Sequence, residues 1–189
     1  SWLLYNPNDF SDQKNSEIMR LKENFGTPVH AMKVTTVQDF INAWNSIGAG
    51  GVSVDGVTLL FHGSKDTINI DYKNEEYLTI NKNGKTPRGN EATYIGNKSL
   101  FENKNISKLY LQICSSGHLD FKNNNLASAF LKAYSGIKEV IAWDGNTAYD
   151  KYLYFENGRP MPYYSTRLAN NQGSFYASAS GGGIFGWGK

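Results

Sequence analysis

The chain has 189 residues, of which 40% are hydrophobic and 14% aromatic, and its 19 basic and 17 acidic residues give a formal net charge of +2. A chain of this length forms one domain that buries about 70% of the surface its unfolded form exposes, so no disulfide or metal is needed to hold a core. The near balance of charge removes the electrostatic case for nucleic acid or an anionic membrane as a partner.

Cys114 is the single cysteine, which excludes an internal disulfide and leaves a thiol that either works in a reducing space or has a task of its own. No apolar run approaches the roughly 18 residues of a membrane span. The chain begins at Ser1. It reads as a domain cut from a longer polypeptide, or as a processed product, whose targeting is no longer visible.

In chain order, Trp2 to Tyr5 is a short apolar strand ended by Asn6-Pro7-Asn8-Asp9, which reads as a loop. Ser11 or Asp12 can cap a helix that carries Ile18, Leu21 and Phe25 at helical spacing and stops at Gly26. Val29 to Val34 reads as a second strand. Thr35 or Thr36 caps a helix with Val37, Phe40, Ile41 and Trp44 on one face. Val57 to Phe61 is a near-continuous apolar run, suited to a strand buried on both sides, and it leads into His62-Gly63-Ser64. Residues 67–95 read as a polar, solvated excursion with one or two short strands, such as Tyr77 to Asn81. Lys108 to Ile113 is the next strong strand and runs into Cys114. Asn125 caps a helix from Leu126 to about Tyr134, stopped by Gly136. Glu139 to Trp143 is a further strand leading to Asp144-Gly145-Asn146. Tyr152 to Phe155 and Met161 to Tyr164 flank a turn and predict a hairpin. Phe175 to Ala179 reads as one more strand, and the glycine-rich residues 181–188 read as a loop.

Strands alternating with helices predict an α/β fold with a mainly parallel sheet flanked by helices on both faces, and a C-terminal β-hairpin extension. The whole chain reads as one domain, with an α/β core over residues 1–150 and the hairpin and glycine-rich tail over 151–189.

In an open parallel sheet, functional groups collect beyond the carboxyl ends of the strands. His62 follows one strong strand and Cys114 closes another. If these strands are parallel neighbours, the two side chains emerge at one sheet edge. The chemistry asks for such a pair, because a thiol of pKa ~8.5 is only slightly ionised at neutral pH while its thiolate is strongly nucleophilic. An imidazole beside it raises the thiolate fraction or returns a proton to a leaving amine. Gly63 and Cys114 offer backbone N–H groups for the oxyanion of a tetrahedral intermediate.

Phe61-His62-Gly63-Ser64 after one apolar strand, and Leu111-Gln112-Ile113-Cys114-Ser115-Ser116-Gly117 after another, resemble the clan of cysteine peptidases that holds caspases, gingipains, clostripain, legumain and separase. Caspases place their histidine about 50 residues before the cysteine and a glutamine two residues before it, as here. Cys-Ser-Ser-Gly is closer to the separase pattern. The resemblance covers roughly three quarters of the chain and implies the caspase-hemoglobinase fold. It implies Cys114 as nucleophile and His62 as the group that polarises the scissile carbonyl or protonates the leaving amine. In this clan the two need not touch before substrate binds. It implies Gly63 and Cys114 as oxyanion donors, and Gln112, Trp143 and Asp144 as substrate-binding positions. Asp144 would favour a Lys or Arg before the cut, although Gln112 is neutral where some relatives carry an acid.

Other readings of the same residues stand beside these. A cysteine at a strand end is commonly a small buried hydrophobe. His118 competes with His62 for the role of base, His30 reads as structural, and Asp144 also suits a plain turn before Gly145. Three scattered histidines and one cysteine supply no ligand set at zinc spacing, and no phosphate-binding loop is present, so neither metal nor cofactor is expected. The expected partner is a protein or peptide substrate, with the parent polypeptide in cis as one candidate. A secreted effector or toxin, or a self-processing module, fits the truncated start and the aromatic, glycine-rich tail. A non-catalytic caspase-like binding module is the alternative, and transpeptidation or deamidation is a further option for the same nucleophile.

Overall fold

The computed structural model describes the backbone of residues 1–168, 175–180 and 183–188, and the side chains of residues 1–166. Strand β1 (Trp2–Tyr5) leads into a one-turn helix, α1 (Pro7–Phe10), where a loop was expected. Asn6 caps it, its Oδ1 accepting the Asn8 N–H at 2.9 Å, and Pro7 occupies the first helical position, where its missing N–H costs nothing. Helix α2 (Lys14–Phe25) therefore starts later than a cap at Ser11 or Asp12 implies, and it stops at Gly26 in the left-handed region (φ 63°), as expected. Strand β2 (His30–Lys33) follows, then α3 (Val37–Ser46) and β3 (Val54–Leu60).

The segment after β3 differs from the polar excursion that composition implied. It forms a second sheet of four strands, β4 (His62–Gly63), β5 (Thr67–Asp71), β6 (Glu76–Thr79) and β7 (Thr93–Tyr94), in that order. Ile68, Ile70, Leu78 and Ile95 are buried in the main core. Alternation places these few apolar side chains on one face, and that face packs inward although the segment as a whole is polar.

Strand β8 (Ile106–Gln112), helix α4 (Leu126–Ala133) and strand β9 (Ile137–Trp143) come next. Asn125 caps α4 through a reciprocal pair of bonds with Ser128. The hairpin of β10 (Thr147–Glu156) and β11 (Arg159–Leu168) begins earlier than expected, so the boundary drawn at residue 150 falls inside β10. Asn157 (φ 50°) and Gly158 (φ 75°) make its two-residue turn, both in the left-handed region as a type I′ turn requires. Strands β12 (Phe175–Ser180) and β13 (Gly183–Gly188) complete the chain; the latter replaces the expected glycine-rich loop, because a backbone ladder needs no side chains.

The main sheet has the order β13-β12-β9-β8-β3-β1-β2. The five strands from β2 to β9 run parallel, and β12 and β13 add antiparallel at one edge. Val57, Leu59, Leu109, Leu111 and Val140 point to the face covered by α3 and α4, among Phe40, Trp44 and Phe130. Leu3, Tyr5 and Leu60 point to the opposite face, among Phe10 and Leu21 of α1 and α2. The expected mainly parallel sheet with helices on both faces and a C-terminal hairpin is therefore present. No helix of the described residues is long and apolar enough to cross a membrane.

The start of α3 is held by Asp39, whose Oδ2 accepts the N–H of Thr35 (3.0 Å), the hydroxyl of Thr35 (2.8 Å) and the N–H of Thr36 (3.1 Å). These bonds, the Thr35 amide foremost, hold its carboxyl below the usual aspartate value of 3.8. The stability this contributes is present above that value and lost as pH falls through the depressed one. Asp39→Ala is expected to cost about 1–2 kcal/mol at neutral pH in urea unfolding. The gap between variant and parent narrows as pH falls below the ordinary aspartate range.

Candidate active site

Strands β3 and β8 pair in parallel with Leu60 opposite Gln112 as their last matched residues. His62 and Cys114 each lie two positions further on. Side-chain alternation turns both toward the face of Leu60, the α2 side. The two chains remain in contact just past the sheet, since a Cβ built on Gly63 would lie 2.6 Å from Cγ2 of Ile113 and 2.3 Å from the carbonyl oxygen of Thr67. Only glycine fits there. The loops beyond also meet. The Lys65 carbonyl accepts the Leu126 N–H at 2.7 Å, and the Lys65 ammonium sits over the Phe121 ring at 4.6 Å.

Gly63 stands opposite Ile68 in the β4–β5 ladder. The Ser64 N–H bonds the Thr67 carbonyl at 3.0 Å, so hydrogen-bonded pairs fall at Ser64–Thr67 and His62–Asn69. The Gly63 N–H therefore points away from β5, as an oxyanion donor must. At the other strand end the turn uses the amides of Ser115 (to Gly145, 2.8 Å), Ser116 (to Ile113, 3.3 Å) and Gly117 (to Trp143, 2.8 Å); that of Cys114 is not among them. Ser115 adopts φ 54°, the left-handed conformation that a non-glycine residue enters only where its surroundings enforce it.

Cys114 is partly buried and its sulfur is engaged by Thr147 at the root of β10. The Thr147 N–H donates to Sγ at 3.4 Å, and the Thr147 hydroxyl lies 3.4 Å from it. Two residues on, Tyr149 stands beside the cysteine. Burial foremost, with the Glu17 carboxylate adding, pushes its hydroxyl well above the usual tyrosine range. The Tyr149 ring lies 6.2 Å from that of Phe10, and Phe10 lies 4.9 Å from the imidazole of His62.

His62 is 59% exposed, and its Nε2 lies 3.9 Å from Oδ2 of Asp9. Asp9 is in turn bonded by the Asn6 side chain at 2.9 Å. This places a carboxylate behind the imidazole, the usual arrangement for orienting a catalytic histidine. His62 also lines a cleft with Asp9, Asn69 and Tyr72.

Gln112 and Trp143 share the α2 face and are bonded to each other, Trp143 Nε1 donating to Gln112 Oε1 at 2.7 Å. Gln112 also lies beside Glu17, a carboxylate only 1% exposed that Arg20 approaches to 3.2 Å. Burial, opposed by Arg20 and Gln112, raises the Glu17 carboxyl above its usual range. Arg20, Tyr110, Gln112 and Trp143 line a cleft of about 330 Å³. Asp144 lies elsewhere: its Oδ1 accepts the Leu119 N–H at 2.6 Å and is 3.8 Å from Nδ1 of His118, so it ties down the loop after Cys114. His30 sits exposed on edge strand β2, against Trp2 at 4.7 Å.

Asp9, Thr147, Tyr149 and Glu17 were not singled out in the sequence. The capping signature Asn-Pro at residues 6–7 could have placed Asp9 on a helix; the other three carry no local signal, because the hairpin and α2 bring them in from a distance. Among the described residues no group of three His, Cys, Asp or Glu side chains could hold a metal ion. Comparison with family models, curated proteins and solved structures finds no match to the chain.

The left-handed turn makes a direct prediction. In urea unfolding, Ser115→Gly should leave stability unchanged or raise it by up to about 1 kcal/mol, whereas Ser115→Val should lower it by about 1–3 kcal/mol.

Proposed function

We propose that this chain is a caspase-like cysteine peptidase in which Cys114 attacks the scissile carbonyl and His62 handles the proton. The observation that carries the reading is the β3–β8 register, in which both residues follow the Leu60–Gln112 pair by two positions on one face. The mainly parallel sheet between helices agrees with what the sequence resemblance implies, and so supports the assignment.

The steps follow from the groups at the sheet edge. The Cys114 thiolate, its sulfur held by the Thr147 N–H, adds to the carbonyl carbon, and the oxyanion forms between the amides of Gly63 and Cys114. The C–N bond breaks as His62 gives a proton to the leaving amine, and a thioester remains on Sγ. His62 then takes a proton from water, whose oxygen attacks the thioester and regenerates the thiolate. Asp9, 3.9 Å from Nε2, orients the imidazole. Gln112 and Trp143 border the position where the residue before the cut would lie.

The competing reading is a binding module that keeps the fold without catalysis, and the contact of Thr147 with the sulfur is its best support. Labelling separates the two. The parent should cleave a peptide after Lys or Arg and be alkylated at Cys114 by a peptidyl ketone inhibitor, and Cys114→Ala should abolish both with the fold intact. A parent that is neither labelled nor active sinks the peptidase reading. Asp9→Asn should lower kcat by about tenfold with little change in KM, the signature of a positioning residue.

A further inference from the structure

The sheet order β9-β8-β3-β1 sets two clefts on opposite sides of the proposed dyad. Gln112 and Trp143, at the ends of β8 and β9, border one of them. The other, of about 430 Å³, lies past His62, between α1 and strand β5. Acyl transfer gives this second cleft a direction. The acyl half of a substrate stays on Cys114, whereas the amine half leaves from beside the group that protonates it. The chain after the scissile bond therefore departs over His62 and into this cleft.

The walls of the cleft are tied together by Asn6, which is only 3% exposed. Its Nδ2 donates to Asp9 at 2.9 Å and to the Ile70 carbonyl at 2.6 Å, and its Oδ1 accepts the Asn8 N–H. The Ile70 bond falls where β5 shifts register against β6, between Asn69 and Asp71. Such bulges re-aim side chains beside functional sites. Asn69 pairs across the β4–β5 ladder with His62, which sets its carboxamide beside the imidazole on one face. The Asn69 Oδ1 is buried without a hydrogen-bond partner among the described residues. Polar atoms left in this state are rare in folded chains, so the fold does not account for this carboxamide. Rotation about its last torsion exchanges the oxygen with the amide nitrogen, and either can serve a peptide main chain.

The rim sets the chemistry of the ligand. Asp71 is fixed in a turn by the amides of Lys73 (2.9 Å) and Asn74 (3.1 Å) and by the Asn74 side chain (2.7 Å). These bonds, that of the Asn74 side chain foremost, hold its carboxyl below the usual aspartate range, so it is ionised at neutral pH. Asp9 adds a second carboxylate, against the exposed Lys73 as the opposing cation among the described lining residues. Tyr72, 65% exposed, presents an aromatic face beside them. A guanidinium suits this rim, since its planar donors match carboxylates and it stacks on aromatic rings.

We propose that the cleft past His62 is the subsite for the leaving half of the substrate. There the Asn69 carboxamide holds the main chain of the first residue after the cut, and Asp71 with Tyr72 selects arginine at that position. The proposal rests on the peptidase reading and names the residues that would give it specificity after the scissile bond. Asp71 lies two residues along β5 from Asn69, about 7 Å, within the reach of an arginine side chain.

The test compares quenched fluorescent peptides that are identical up to a Lys before the cut and continue with Arg, Ala or Glu. Mass spectrometry locates the broken bond, and only cleavage directly after that Lys is counted. In the parent, kcat/KM should favour Arg over Glu by at least about tenfold. Asp71→Asn keeps the oxygen that caps the turn and removes the charge, and it should bring that ratio to within about threefold of unity. Asn69→Ala should lower kcat/KM for all the peptides by about tenfold. Its stability in urea should equal or exceed the parent's, because a buried acceptor without a partner is removed. A residue that served only the fold would show lower stability and unchanged kcat/KM. Equal cleavage of the peptides by the parent would overturn the proposal. So would a preference for Arg that survives Asp71→Asn, or a kcat/KM that survives Asn69→Ala. Failure of the peptidase reading has a different signature. The parent then cleaves none of the peptides, yet the Cys114→Ala protein, in fluorescence polarisation, binds a labelled peptide with N-terminal Arg more tightly than one with N-terminal Glu. Adding Asp71→Asn to that protein removes the difference. Equal binding of those two peptides would overturn the proposal as well.

Discussion

Parallel pairing of β3 with β8 sets a single register, Leu60 opposite Gln112, and the candidate site depends on it. A shift of one residue in either strand would turn His62 or Cys114 to the opposite face. That register is strongly specified because both strands are buried on two sides. Leu59 and Leu111 must enter the core of Phe40 and Trp44, while Leu60 must enter that of Leu21. The same packing that stabilises the domain therefore aligns the imidazole and the thiol, with no direct bond between them needed to do so.

Cys114 and His62, the proposed nucleophile and base, are held very differently. The turn after Cys114 is bonded to β9 through Gly145 and Trp143, and to α4 through the Ala127 N–H and the Ser116 carbonyl at 3.0 Å. Ser116 is fully buried, and its hydroxyl lies 3.3 Å from both the Leu111 carbonyl and the Trp143 amide. These bonds offset the cost of the left-handed Ser115 and fix Sγ in place. The His62 side chain rests on Phe10 with Asp9 beside it, and more than half of it meets solvent.

How much of this the sequence disclosed follows from where the signals lie. The runs at Val57–Phe61 and Lys108–Ile113 are legible because strands buried on both faces read as nearly unbroken apolar stretches. The caps Thr36 and Asn125 and the stop at Gly26 are legible because capping is a local bond. The second sheet escaped because Ile68, Ile70 and Leu78 are thinly spread among polar residues, and only the packing reveals their common face. Residues 183–188 escaped because glycine weakens a strand's propensity without preventing its ladder to β12. Asp9 was hidden by an Asn-Pro pair that suits a turn as well as a helix start.

The buried group of Glu17, Arg20 and Gln112 was the least legible, and its energetics suggest why it is there. A buried ion pair seldom stabilises a fold more than apolar side chains of the same size, because desolvation offsets the attraction. Its use is in geometry. Glu17 and Arg20 lie on α2, Gln112 ends β8, and Trp143 ends β9, so this group packs the helix against the two strands whose ends carry Cys114 and its neighbouring cleft. Tyr149 and Tyr163 of the hairpin reach the same Arg20, which joins the root of β10 to that group. Removing Arg20 leaves the Glu17 carboxylate buried without its ion-pair partner. The hairpin's hold on Cys114 is therefore coupled to a network whose members lie far apart in the sequence, and whose net value is the single arrangement it permits.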